Sequence, residues 1–428
     1  MNPGERGWLK PFIAHKKHAL RIPAADPSLR LIRKVSDSYE FLYKLIQPTG
    51  LMYGHPISFI GTPHPLNLEW SEKDKIKVLL AEGYIMSGMY FHYDSDKEVI
   101  QTMEDVLTDI RNFYQHNYPL FASSSRSLFG KRTDTIDQIE YILDRRISIR
   151  YDWRNFWTSF FHNSLLFFDL ILFVQWMEHP VAIPGETQKV RRHNLRLNLL
   201  RVIAAAAHAD SEVQTEEKEL FNYFLHSANL PQSEKKRAAN FIVEGIKLDD
   251  LDLQDLHSWI LKKYFLELAI LTTWSNRSVS DKEEIFIRKL AHQLDLTLDD
   301  LEQSTLSVRK FVMACWDQVH YLQIKQNYRI VSERMLGRMR TIVKKNQRLV
   351  SQEIQESKEL VTLLRKSRTQ NLSPNEKEKV RDQLLDILRT IPTFAIFLLP
   401  FGSLTLPLLL KIIPKHVLYP SSFRENEI

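Results

Sequence analysis

The sequence predicts an all-α fold: helical bundles in several domains, ending in a hydrophobic helix broken by prolines. Three observations carry that expectation. The 428 residues include only 12 glycines, seven of them before residue 90, so turn-forming material is scarce over most of the chain. The 18 prolines leave long stretches free of helix-breakers. Within those stretches apolar residues recur at helical spacing.

Composition bounds the function. Hydrophobic residues make up 44% and charged residues 26%, ordinary for a globular chain, and the length suggests two or three domains. No GxxxxGK[ST] or GxGxxG phosphate loop occurs. The 15 histidines form no HExxH pair or Cys/His cluster. Cys315 is the only cysteine, which rules out an intramolecular disulfide and fits a reducing compartment. No apolar signal sequence opens the chain. With no nucleophile–base set, metal site or phosphate loop, no enzymatic activity and no cofactor are expected. The net charge of +6 is too modest for a nucleic-acid binder.

Taken in order, residues 1–30 read as an irregular arm, and 33–48 and 71–91 as helices. The Gly- and Pro-rich stretch between those helices reads as a loop or short hairpin. Residues 96–117 and 133–148 are again helical, and 121–134 is a loop. FWTSFFHNSLLFFDLILFVQWM, residues 156–177, could span a bilayer by length, yet Asp169 sits past its midpoint. Two readings stand. It is a helix packed in a helical domain or lying in the membrane interface, or it is a membrane helix whose His162–Asp169 stripe faces protein. In the second reading those two residues form a titrating pair.

PVAIPGET closes a first domain, 1–187, and a helical block follows at 188–320. The alanine-rich helix there ends in HADSEVQTEEKELF, and a weaker echo, ELAILTTWSNRSVSDKEEIF, occurs at 267–286. The acids have two readings. They complement helix N-termini, or Asp210, Glu212 and Glu216 hold a divalent cation. Residues 321–370 form a long basic helical connector, in which 333–350 carries six cations against one Glu. That stretch is a solvated helix face, or it is drawn to anionic lipid at about 1 kcal/mol per cation. Ser373, Pro374 and Glu376 then start a new helix.

The segment 371–428 is the most distinctive. Residues 391–410 carry no charge, and as a helix they would reach about 30 Å, the thickness of a bilayer core. Pro392, Pro400, Pro407 and Pro414 interrupt this region, the last three at seven-residue intervals. Each helix-interior proline frees a carbonyl, and that spacing aligns the freed carbonyls of Ile396, Ser403 and Leu410 along one side. In lipid such a side must face protein, water or a cation. Gly402 and the neighbouring hydroxyls allow another helix to approach. The other reading is a kinked core helix, or a re-entrant hairpin turning at Pro400–Phe401–Gly402.

Two family resemblances follow from these residues. Ala209, Asp210, Glu212, Val213, Glu216 and Glu217 match the A-D-G-E-V and acidic-helix pattern of the tellurite-resistance TerB-like family, with Ser211 in place of its glycine. The tail resembles the conserved membrane segment of the LETM family, the leucine-zipper, EF-hand and transmembrane proteins. Leu372, Ser373 and Glu376 match its helix start, and Arg389 and Pro392 the next piece. Pro400, Phe401, Leu406 and Pro407 match its core, and Lys411, Pro414, Leu418, Pro420, Ser421 and Phe423 its end. The combination resembles bacterial, biofilm-associated LETM-related proteins.

The LETM resemblance implies membrane attachment and a part in K⁺ or Ca²⁺/proton homeostasis, with membrane lipid as partner. The family's intramembrane acid is replaced here around Gly402–Ser403–Leu404, and no EF-hand loop occurs. Ribosome association carries over by family name alone, because five residues follow Phe423. The expectation is a homo-oligomer at a bacterial inner membrane, with most of the chain cytoplasmic. The alternative is an envelope-associated stress or biofilm module that uses the TerB-like block, with the tail only as anchor.

Overall fold

The computed structural model describes residues 1–20, 31–32, 34–60, 70–93, 99–118, 134–147, 156–180, 185–209, 213, 215–228, 230–251, 253, 256–273, 281–315, 328–391 and 406–418. Among the described residues every regular element is helical, as the glycine and proline distribution leads one to expect.

The expected N-terminal arm contains a helix, α1 (Leu9–Leu20), with Leu9, Phe12, Ile13 and Leu20 buried along one stripe. Its start is held by a residue far along the chain. The carboxylate of Glu140 accepts from Gly7 N (2.6 Å) and Leu9 N (3.0 Å). A cap supplied from so far along the chain leaves no sequence signature.

Helix α2 (Ser38–Ile46) starts at Asp37, whose side chain accepts from Glu40 N at 2.7 Å. Two 3₁₀ turns follow, Gln47–Thr49 and Leu51–Tyr53, where a loop or hairpin is expected. Gly50 joins them at φ 80°, and a Cβ there would lie 2.2 Å from the His55 carbonyl. Helix α3 (Glu72–His92) is capped by Ser71, and most of its length from Ile76 to Met89 is buried. Helices α4 (Val99–Asn117) and α5 (Thr135–Arg146) pack beside it. A Cβ on Gly88 of α3 would come within 2.6 Å of Val106 on α4, so glycine permits that approach.

Helix α6 (Phe156–Glu178) runs through the middle, touching α2, α3, α4 and the Leu51–Tyr53 turn. Its residues 165–174 are buried in protein, which makes it an interior helix. The expected boundary at 187 falls inside the next helix, α7 (Gly185–Ala207). Then come α8 (Thr215–Ser227), α9 (Gln232–Ala239), α10 (Phe241–Glu244), α11 (Trp259–Thr273), α12 (Asp281–Gln293) and α13 (Leu298–Ala314). Buried residues from Trp8 to Cys315 form one hydrophobic cluster across both sides of that boundary. Helix α8 packs on α6, and α11 on α7 and α13, which fuses the two regions.

The connector is helical in its described residues, from 328 on. It divides into α14 (Tyr328–Lys345), α15 (Gln347–Glu356) and α16 (Lys358–Thr369). Ser357 separates the last two by capping Leu360 N. Helices α17 (Pro374–Arg389), α18 (Leu406–Ile412) and α19 (Lys415–Leu418) pack against them. A second hydrophobic cluster results, with Met339, Ile342 and Val343 from α14, and Val350 and Ile354 from α15. Leu384 and Leu388 of α17 and Leu409 and Ile412 of α18 complete its centre.

Candidate functional site: a basic face on the C-terminal module

The module is built by local rules the sequence carries openly. Ser373 and Glu376 form a capping box: Glu376 N donates to Ser373 Oγ (3.3 Å), and Ser373 N to Glu376 Oε2 (2.9 Å). Pro374 occupies the first turn, where its missing N–H is harmless. The Lys366 ammonium, 2.6 Å from Glu376, holds that carboxyl down at about 2, helped by the Ser373 backbone. Helix α17 is tied to α16 through Glu359, which accepts from Lys379 (2.8 Å) and Gln383 (2.7 Å).

Burying the apolar stripe of α14 turns its cations outward. Arg340, Lys344 and Lys345 of α14 are all exposed, as is Arg348 of α15. Arg340 Nε donates to the carbonyl of Lys411 at 2.7 Å, at the C-terminal end of α18 where carbonyls attract cations. A hollow of about 510 Å³ lies here, lined by Arg340, Lys344, Lys411 and Lys415 together with Leu410 and Pro414. A second hollow, of about 360 Å³, brings Arg348 beside His416. No Asp or Glu lines either hollow among the described residues. Lys345 turns away to Glu302 of α13, at 3.6 Å. The basic stretch and the tail, far apart in the sequence, thus meet at the first hollow, where four cations make a lining suited to phosphate groups.

The tail itself departs from the expected rod. Pro392, Pro400 and Gly402 lie outside the described residues. Pro407 lies in the first described turn of α18 and is exposed. Pro414 stands between α18 and α19, and its carbonyl accepts from Val417 N (2.9 Å) and Leu418 N (3.2 Å). A proline outside the helix frees no helical carbonyl, so Pro414 bounds a short helix where an interruption of a longer one is expected. Leu409, Ile412 and Ile413 face the module's own core. Among the described residues no helix is long and apolar enough to cross a membrane.

Asp169 is fully buried, and its partners are arginines. Arg146 Nε donates to Oδ2 (2.7 Å), and Arg146 Nη2 donates to the same oxygen. Arg192 Nη2 (2.6 Å) and Tyr118 Oη (3.0 Å) donate to Oδ1. Burial pushes the Asp169 carboxyl above its ordinary value, and Arg146 works against that rise. Burial also opposes the charge on Arg146, yet Asp169 beside it raises the guanidinium above its ordinary value. The His162 side chain lies outside the described residues. A polar core missed by sequence reading joins Tyr43 and Tyr53, both donating to Glu267. Burial pushes Lys263, one turn earlier on α11, down to about 8. Nothing local marks Glu267, which stands in a run of apolar residues.

Of the candidate cation ligands, Asp210 and Glu212 lie outside the described residues, as does the side chain of Glu216. Among the described residues no group of three His, Cys, Asp or Glu is placed to hold a metal ion.

Compared with known families, residues 372–428 match the family described as LETM1-like, RBD. The match begins at the Ser373 capping box and takes in α17, α18 and α19, and with them Lys411 and Lys415 of the cationic face. It places a LETM1-like segment in this chain and leaves the TerB-like resemblance of 188–320 on its sequence pattern alone. No curated protein and no solved structure matches the chain.

Proposed function

We propose that this chain is a membrane-associated, non-enzymatic helical protein of LETM type. It sits as an oligomer at an anionic bacterial inner-membrane surface, with most of its mass in the cytoplasm, and contributes to cation and proton homeostasis. One observation supports this most: the LETM1-like segment folds against α14 and α15 so that Arg340, Lys344, Lys411 and Lys415 line one hollow and Arg348 a second, with no Asp or Glu in either lining among the described residues. At about 1 kcal/mol for each cation near anionic headgroups, five such residues supply about 5 kcal/mol of surface attraction, lost as salt rises.

Co-sedimentation of the full chain with phosphatidylglycerol-containing and with purely zwitterionic vesicles tests this. Binding should favour the anionic vesicles, fall with ionic strength, and drop sharply in Lys344→Glu/Lys411→Glu/Lys415→Glu. Binding indifferent to both lipid charge and these substitutions refutes it. Cation-driven pH changes in reconstituted liposomes test the homeostasis function separately.

Ribosome association is the second reading. The family match is consistent with it, and the same cationic face suits RNA phosphates. Ribosomes that pellet the chain in the absence of lipid, through the same three lysines, would favour this reading over the first.

A further inference from the structure

A cavity of about 320 Å³ opens far from the C-terminal module, where α2, α6, α7 and the start of α11 meet. Each of two helices gives it a stripe at helical spacing: Phe168, Ile171, Leu172 and Gln175 from α6, and Arg191, Asn194, Leu195 and Asn198 from α7. Leu261 and Phe265 of α11 complete an apolar wall. Phe168, Ile171, Leu172, Leu195 and Phe265 are all at most 6% exposed, so these side chains belong to the core and yet border open space.

The polar part is asymmetric. Among the described residues lining the cavity Arg191 is the one with a permanent positive charge; it is exposed and has the amides of Asn194 and Gln175 and the imidazole of His257 for company. No Asp or Glu lines it among the described residues. Ser258 Oγ, which also borders the cavity, is buried without a hydrogen-bond partner. Buried hydroxyls ordinarily find a partner, so a ligand oxygen has a natural place there. An apolar wall with a few convergent polar groups is the usual build of a small-molecule site, and this volume lies at the lower end of the range.

We propose that this cavity binds a single-chain amphiphile with an anionic head, a medium-chain carboxylate. The hydrocarbon lies against Leu172, Leu195 and Phe265, and the carboxylate meets Arg191 at the mouth. At roughly 30 Å³ per water-sized unit, which a methylene approaches, the cavity has room for a single chain of about ten carbons. The proposal is independent of the cationic face, because no residue is shared between the two.

The test is photolabelling of the full chain with a diazirine-bearing decanoic acid, followed by peptide mapping. Saturable labelling is expected in peptides of α6 and α7, displaced by unlabelled decanoate. Decanol should displace it about fivefold less well, since it lacks the charge that meets Arg191. Arg191→Ala should erase that difference between acid and alcohol. Leu172→Trp should abolish labelling by filling the cavity. Because Leu172→Trp also risks the fold, the exposed Arg191→Ala carries the test where the first variant melts early. Labelling that does not saturate, that maps elsewhere, or that keeps its preference for acid over alcohol in Arg191→Ala overturns the proposal.

Discussion

Replacing Asp169 with Asn should unfold this protein more readily while barely changing its shape. The carboxylate accepts from Arg146 twice, from Arg192 at 2.6 Å and from Tyr118 at 3.0 Å, and is fully buried. An asparagine keeps one acceptor oxygen and turns an NH₂ group toward a guanidinium. Two mostly buried cations then lose their counter-charge, and breaking such a pair costs about 3–5 kcal/mol. For a helical unit of this size the fall in Tm should be about 5–15 °C.

Circular dichroism melting and urea titration of the full chain measure this directly. Adding Arg192→Met to the Asn variant should recover at least about 1 kcal/mol, because it removes one of the stranded charges. An Asn variant melting within about 2 °C of the parent would refute the idea that Asp169 holds these helices together. The result also bears on function. Loss of ion flux in this variant speaks for a proton path only if the fold survives at the assay temperature.

Further outcomes follow from the same kind of reasoning. Glu267→Gln should cost about 1–3 kcal/mol, since Tyr43 donates to one carboxylate oxygen and Tyr53 to the other and the amide puts an NH₂ donor in place of one of them, measurable as a lowered urea midpoint. Gly50→Ala should destabilise by at least about 1 kcal/mol in the same titration, given its φ of 80° and the His55 carbonyl 2.2 Å from the new Cβ. Burial pushes the Lys310 ammonium down to about 7, so between about pH 7 and 10.5 the unfolded chain holds a proton that the folded chain has shed. Stability should therefore rise with pH across that window, and Lys310→Met should flatten the rise in urea midpoints measured at pH 7 and pH 9.5. Ser373→Ala should cost about 1 kcal/mol and speed amide exchange in the first turn of α17, leaving exchange near residue 8 and in α6 unchanged.

How much was legible in the residues depends on how local the physics is. The capping box at Ser373 and Glu376 could be read directly, because it follows from neighbours within one helical turn, whereas the run of cations at 333–350 left open whether water or lipid faces it. Helix α1 was illegible because its cap is Glu140. Helix α6 was ambiguous because an oily helix with one acid looks alike whether lipid or protein surrounds it. Only the arrival of Arg146 and Arg192 from two other helices settles the question for Asp169. The proline spacing at 407 and 414 suggested a single interrupted rod, whereas Pro414 lies beyond the end of α18.

The sequence alone therefore determined the all-α class, the capped helix start at Ser373, and the LETM1-like tail, since propensity, capping and motif are short-range properties of the chain. Tertiary structure alone decided that residues on both sides of 187 share one core, that Asp169 answers to arginines, and that the basic stretch of α14 lies beside Lys411 and Lys415. Those outcomes depend on which buried surfaces meet and where a buried charge finds its partner, and distance along the chain carries no record of either.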